Sequence, residues 1–350
     1  MDRYIGLDAH SSSCTVAVIG PSGKRLGSYV METNAKALVQ ALQSVPKDRH
    51  LCLEEGPLAG WLYEVLERHV QEIVVTGVPH SRGPKSDKRD AFALAEMLRI
   101  GAVPSRVYKQ RGTFTKLAYL AKAYRALVGD SVRVQNRLKS LMRSRGVSVS
   151  GGAVYSKAGR EPYLDKLPIA ARPMAEFFYS QYDHLGELRE QAQKEMIAEA
   201  RKHAVFRCVR SCPGLGDVRT SLILPIVVTP YRFPSKRDFW SYCGLAVVTR
   251  SSSDWVRART GEWMKAPVQQ TRGLNKNCNH VLKDIYKGAA TTIIGQARDN
   301  PLYQHYQSLL DGGTKPNLAK LTIARQIAAI TLALWRDKEV YDPKKLAHES

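Results

Sequence analysis

At 350 residues and 44% hydrophobic content, the chain is long enough for two or three domains and apolar enough to bury real cores, so a folded, soluble protein is expected. No stretch approaches the roughly 18 uninterrupted apolar residues of a membrane helix, and MDRYIGLDAH lacks the zones of a signal peptide; the expected address is the cytoplasm, with no membrane partner. Charge is more informative: 53 Lys and Arg against 32 Asp and Glu leave +21, and residues 106–145 hold eleven basic residues with Asp130 as the one acid. Such clustering points to a polyanion such as nucleic acid. Six scattered cysteines, without CxxC or Cys/His ligand spacing, read as buried reduced thiols and argue against zinc even at Cys208 and Cys212.

YIGLDAH and TVAVIG are apolar runs around a polar SSSC turn, and PSGK leads into LGSYVME, so three strands open the chain. NAKALVQALQS (34–44) reads as an Asn-capped helix, HLCLEE as a buried strand, PLAGWLYEVLERH as a second helix and EIVVTGV as a further strand. The order β-β-β-α-β-α-β-α predicts a mixed sheet with helices against it over residues 1–105, an α/β arrangement that resembles the ribonuclease-H-like fold. From about 114 to 144, Leu117, Leu120, Tyr124, Leu127, Leu138, Leu141 and Met142 recur at three- and four-residue spacing. That predicts a long amphipathic helix whose other face is Lys116, Lys122, Arg125, Arg133, Arg137, Lys139 and Arg143. After a Gly/Ser-rich break at 146–160, a second helix covers roughly 170–203, so residues 106–205 predict a helical hairpin or an intermolecular coiled coil. Residues 206–340, with a tail to 350, read as a smaller, mainly helical domain running from CPGLGDVRTSLILPIV to LAKLTIARQIAAITLALW.

Several segments bring acids to element ends. Asp8 closes the first strand, Glu54 and Glu55 end HLCLEE after the apolar Leu51 and Leu53, and Asp87 and Asp90 share one face at a helix start. Singly, Asp8 has a plain explanation as a turn aspartate, and Asp87 and Asp90 as helix N-terminal acids, whereas a charged pair straight after an apolar strand looks placed. Together they suit two divalent cations, Mg²⁺ with Mn²⁺ as the alternative, because hard oxygen ligands can hold metals about 4 Å apart and clamp the attacking and leaving oxygens of a phosphodiester. CPGLGDVRTSLIL (212–224) has the proline-glycine-apolar-glycine turn of a helix-hairpin-helix, in which backbone N–H groups around Gly214 and Gly216 would bind a phosphate; an ordinary turn and helix start reads the same way. TRSSSDW (249–255) sets hydroxyls beside Arg250, Arg257 and Arg259, a nucleophile with cations for developing phosphate charge, although serine runs are commonly loops.

These pieces, in this order, resemble insertion-sequence transposases of the DEDD type, whose N-terminal domain is like the Holliday-junction resolvases (RuvC-like) and whose C-terminal transposase domain carries a serine, a group called bridge-RNA-guided recombinases. The likeness spans IGLDAH, LCLEEG with WLYEVL, KSDKRDAFALAEML, NRLKSLM, CPGLG and RFPSKRDFWSYCGLAVVTRSSSDW. It implies that the four metal-binding acids are Asp8, Glu54, Asp87 and Asp90, with Glu55 as alternative to Glu54, and that the nucleophile is Ser252, with Ser251 and Ser253 as alternatives. Lys276 and Asn279 keep their family places; the family's glycine after the serine is Ser253 here, and a later glycine is Cys278. The resemblance further implies donor and target DNA, a structured guide RNA encoded beside the gene, and a homo-oligomer, dimer or tetramer, in which the acids of one subunit meet the serine of another.

Three other readings compete. A metal-only nuclease would use activated water and leave the serine loop structural; a non-catalytic nucleic-acid-binding protein would not use the acids; an actin-like sugar kinase could open on IGLDAH but leaves the +21 charge and the basic helix unexplained.

Overall fold

The computed structural model describes all residues except 47, 78–85, 104–111, 251–254, 266–269 and 347–350. The chain divides into two compact units, Met1–Gln110 and Arg111–Ser350.

The first unit holds a five-stranded mixed sheet in the order β3-β2-β1-β4-β5. Strands β1 (Arg3–Ala9), β2 (Ser13–Ile19) and β3 (Arg25–Glu32) form an antiparallel meander, and helix α1 (Ala35–Ser44) carries the chain across to β4 (Arg49–Glu54), parallel to β1. Helix α2 (Ala59–Leu66) then leads to β5 (Glu72–Thr76), parallel to β4, and α3 spans Asp87–Arg99. The Asn34 side chain accepts a 2.8 Å hydrogen bond from the Ala37 N–H, the cap expected from the sequence. Strand alternation sorts the faces. Ile5, Leu7, Val16, Leu51 and Leu53 pack with Leu38, Leu42 and Leu62 of α1 and α2. On the opposite face, Ala17, Ile19, Cys52 and Val74 pack against Ala91, Leu94, Ala95 and Leu98 of α3. This mixed sheet is compatible with a ribonuclease-H-like fold.

The second unit opens with α4 (Thr115–Ser144), followed by the short α5 (Glu161–Leu164) and by α6 (Arg172–Arg201). Lys116 meets Glu199 at 3.3 Å and Gln135 donates to the Tyr182 hydroxyl at 3.0 Å, so α4 and α6 run antiparallel as a hairpin. One stretch of this hairpin is held by Val134, Leu138, Met142, Val154 and Tyr179. The other joins a larger core through Leu117, Ala121, Met196 and Ala200. That core is completed by α7 (Val205–Arg210), α8 (Asp217–Val227), α9 (Lys236–Tyr242), α10 (His280–Gln296), α11 (Pro301–Asp311) and α12 (Pro316–Asp337). By length and composition α12 could cross a membrane, but Ile323, Ile327, Ala328 and Leu332 are buried in this core. Two short ribbons that sequence patterning did not predict interrupt the helices: β6 (Val247–Arg250) with β9 (Gln270–Leu274), and β7 (Trp255–Arg257) with β8 (Trp263–Lys265).

Candidate functional site

The first unit gathers its strand-end and helix-start acids in one cleft of about 280 Å³, lined by Asp8, His10, Glu54, Glu55, Asp87 and Asp90 and floored by Leu58, Ala59 and Leu62. The register explains the convergence. Leu7 of β1 lies opposite Leu53 of parallel β4, so the next residues, Asp8 and Glu54, sit side by side at the C-terminal ends of neighbouring strands. Each lies two residues beyond a member of the α3 face, Asp8 after Gly6 and Glu54 after Cys52, and so shares that face, while Glu55 comes two after Leu53 of the opposite face, Glu54 having ended the strand.

Helix α3 supplies the remaining acids from its first turn, where the helix dipole favours negative charge. The Ser86 side chain makes no capping bond there. The approach of α3 depends on Gly6: a Cβ at that position would overlap the Ala91 carbonyl and lie 2.8 Å from the Ala95 nitrogen. Glycine thus lets the helix backbone rest directly on β1, with Asp87 and Asp90 toward the strand ends.

Sequence reasoning gave no role to His10. Its Nε2 lies 3.7 Å from an Asp8 carboxylate oxygen and 3.6 Å from one of Asp87. One ligand atom each from Asp8, His10 and Asp87 fall within 4.8 Å of one another. The available signal was the spacing: residues two apart near a strand end lean to the same side. The Asp8 side chain is 14% exposed, against 56% for His10 and 58% for Asp87, so Asp8 lies inside and the others at the rim. Burial pushes the Asp8 carboxyl above its ordinary value; His10 opposes this, and the charges of Asp87 and Asp90 add to it.

In the second unit, Lys122, Arg125, Arg133, Arg137 and Arg143 are exposed along α4. Arg133 is paired with Asp130, and the Lys139 ammonium lies 5.3 Å from the Tyr155 ring centre, a cation–π contact. Gly214, at φ +76°, faces the Ala289 backbone, where a Cβ would lie 2.7 Å from the carbonyl oxygen, so close packing on α10 accounts for this glycine. Gly216 sits in open space at the start of α8, whose first residue Asp217 accepts from Arg201 and Arg210. Asn279 caps α10, accepting from the Leu282 N–H at 3.1 Å, and Lys276 is exposed beside it. Cys278 fills the space at Gly244 (φ +66°), where a Cβ would lie 3.0 Å from the Cys278 Cβ, so the residue that departs from the expected glycine is accommodated by a glycine opposite. Arg250 ends β6 and Arg257 ends β7. Ser251, Ser252 and Ser253 lie outside the described residues.

Residues 5–145 match a DEDD-type family described as "Transposase", and residues 206–299 match the "Transposase IS116/IS110/IS902 family". Two similar proteins come from Sinorhizobium fredii (strain NBRC 101917 / NGR234). "Putative transposase y4pF/y4sB" is 21% identical over 75% of this chain, and "Putative transposase y4qE" is 22% identical over 96% of it. The match spans 65% of the first relative's length, just under two thirds, and 89% of the second's.

Proposed function

The chain belongs to the IS116/IS110/IS902 family of insertion-sequence transposases, and from that premise we propose that it cleaves and rejoins DNA using a metal-binding acid cluster and a serine nucleophile. The observation that carries the reading is the single cleft lined by Asp8, Glu54, Asp87 and Asp90. The donor set fits a divalent cation: ligand atoms of Asp8, His10 and Asp87 lie within 4.8 Å of one another, and positive charge there would offset the repulsion of the half-buried Asp8 carboxylate by its acidic neighbours. Carboxylate oxygens suit Mg²⁺, and a histidine nitrogen is a ligand that Mn²⁺ also accepts.

Asp8, Glu54, Asp87 and Asp90 would hold the metal, two ions per site, and His10 would orient or join the Asp8–Asp87 pair. Glu54 is preferred to Glu55 because its register beside Asp8 puts it on the α3 face. When bound, the divalent ions supply positive charge against the scissile phosphate. Ser252 loses its proton, and its oxygen bonds to phosphorus as the bond to the leaving deoxyribose oxygen breaks; that oxygen takes up a proton. The phosphoserine ester conserves the bond energy until a second DNA end displaces the serine, so no external energy source is needed. The basic face of α4, together with Arg250, Arg257 and Lys276, binds phosphates of DNA and of a structured guide RNA. The working form is an oligomer in which the acids of one subunit serve the serine of another.

Incubation of the full chain, guide RNA and labelled target DNA with Mg²⁺, followed by denaturing electrophoresis, tests this. A covalent protein–DNA adduct is expected; Ser252→Ala loses it while still binding DNA and RNA, and Ser251→Ala and Ser253→Ala keep it. Loss at a neighbour instead moves the nucleophile by one residue. Cleavage by the unaltered chain without any adduct sinks the covalent mechanism in favour of activated water.

A further inference from the structure

Of the β7–β8 hairpin, the mechanism above uses only Arg257, as a phosphate contact; its two tryptophans have no part in it. Among the described residues its strands pair only with each other, Trp255 opposite Lys265, Val256 opposite Met264 and Arg257 opposite Trp263. Because side chains alternate along a strand and cross-strand partners share a side, Trp255, Arg257 and Trp263 occupy one face. Trp255 is 56% exposed and Trp263 65%, with Arg257 exposed between them. Two indoles on one three-residue ladder leave costly apolar area in water, which favours an occupant.

Charge and chemistry select it. Residues 255–265 carry Arg257, Arg259 and Lys265 against Glu262 alone, a positive ribbon. The Arg257 Nε donates to the Gly261 carbonyl at 3.2 Å, which holds its guanidinium beside the turn. Indole faces alternating with cations match a nucleic-acid strand, whose bases stack on aromatic rings while its phosphates meet Arg and Lys. Bases inside a duplex have no free face, so the strand must be unpaired. Chain connectivity favours DNA as the source: Trp255 comes three residues after Ser252, so the two can be no more than about 11 Å apart, the limit that chain length sets. The hairpin therefore stays close to whatever strand those serines would cut.

We propose that the Trp255–Arg257–Trp263 face is a stacking platform for unpaired bases of the DNA strand opened during exchange. This rests on the strand-exchange reading, and its test is a binding measurement that needs neither metal nor serine. With the full chain in EDTA, fluorescence anisotropy is measured with labelled oligothymidine, matched oligouridine and a DNA duplex. Trp255→Ala and Trp263→Ala each weaken oligothymidine binding by roughly five- to hundredfold, as loss of base stacking does. Trp255→Phe and Trp263→Phe retain most of it, and duplex binding is unchanged. Equal losses on duplex, no loss on oligothymidine, or tighter Trp-dependent binding of oligouridine than of oligothymidine overturns the proposal. Trp-dependent binding by a protein that forms no adduct would sink the serine mechanism alone; an adduct without Trp-dependent binding would sink the platform alone.

Discussion

Asp8 is held in the folded chain under two opposing influences, burial beside Asp87 and Asp90 on one side and the His10 imidazole on the other, and the first prevails. A carboxyl raised above 3.8 in the folded state contributes its stability when protonated, below that value, and the contribution is lost as pH rises through the raised value. At neutral pH the ionised, metal-free site is therefore a liability to the fold, as expected of a group placed for binding. Asp8→Asn keeps the shape and removes the charge. It should unfold, metal-free at pH 7, at the same temperature as the parent chain or higher, should lose the stabilisation that Mg²⁺ gives the parent, and should cleave DNA about a hundredfold more slowly or not at all. Thermal unfolding with and without Mg²⁺, alongside a cleavage gel, reads all three. A folded variant that retains a parental Mg²⁺ shift would remove Asp8 from the metal centre.

Helix α3 shows how an element positions such residues, and why some of the site was unreadable in the sequence. The strands and helices of the first unit follow from alternation, an Asn cap and turn residues, and the acids stood out because each lies at the end of a strand or the start of a helix. His10 and Gly6 gave no comparable signal, since their roles depend on which neighbour crosses the sheet, a long-range fact. The β7–β8 ribbon was missed because three-residue strands are too short for a period to register, and the capping role of Asn279 was hidden behind its family position. Gly6→Ala should force α3 off β1, costing about 1–3 kcal/mol as overpacking does. It should also depress Mg²⁺-dependent cleavage, because Asp87 and Asp90 move with the helix. Urea unfolding measures the first and the cleavage assay the second; unchanged stability would mean that α3 does not rest on Gly6. The basic face of α4 is refined by its partners. Asp130 already occupies Arg133, and Lys139 lies over Tyr155, whereas Lys122, Arg125, Arg137 and Arg143 stand exposed. Neutralising Lys122 and Arg137 should flatten the salt dependence of DNA binding, by up to about 0.9 in log–log slope for each phosphate that the face no longer neutralises, and more than neutralising Arg133 alone. An unaltered slope would take this face away from the DNA.

At the scale of the whole molecule, the acid cleft belongs to Met1–Gln110 and the serine segment to Arg111–Ser350, so the two halves of the proposed chemistry belong to different compact units of the chain. If acids and serine cooperate between subunits, two inactive chains can repair each other. Asp8→Asn lacks a working metal centre but keeps its serine; Ser252→Ala keeps the acids and lacks the nucleophile. In a mixed dimer one composite site combines both defects and the other is intact. Random mixing of equal amounts should therefore restore about a quarter of parental adduct formation, from two preparations that are each inactive. Recovered adduct should be attached only to the Asp8→Asn chain, which a size tag on one variant reveals by its mobility in the denaturing gel. A tetramer assembled from the same pairwise sites gives the same tag result with a different yield. Adduct that never recovers, while either preparation mixed with the parent protein still yields one, would mean that each subunit completes its own site and that association serves only to bring DNA ends together.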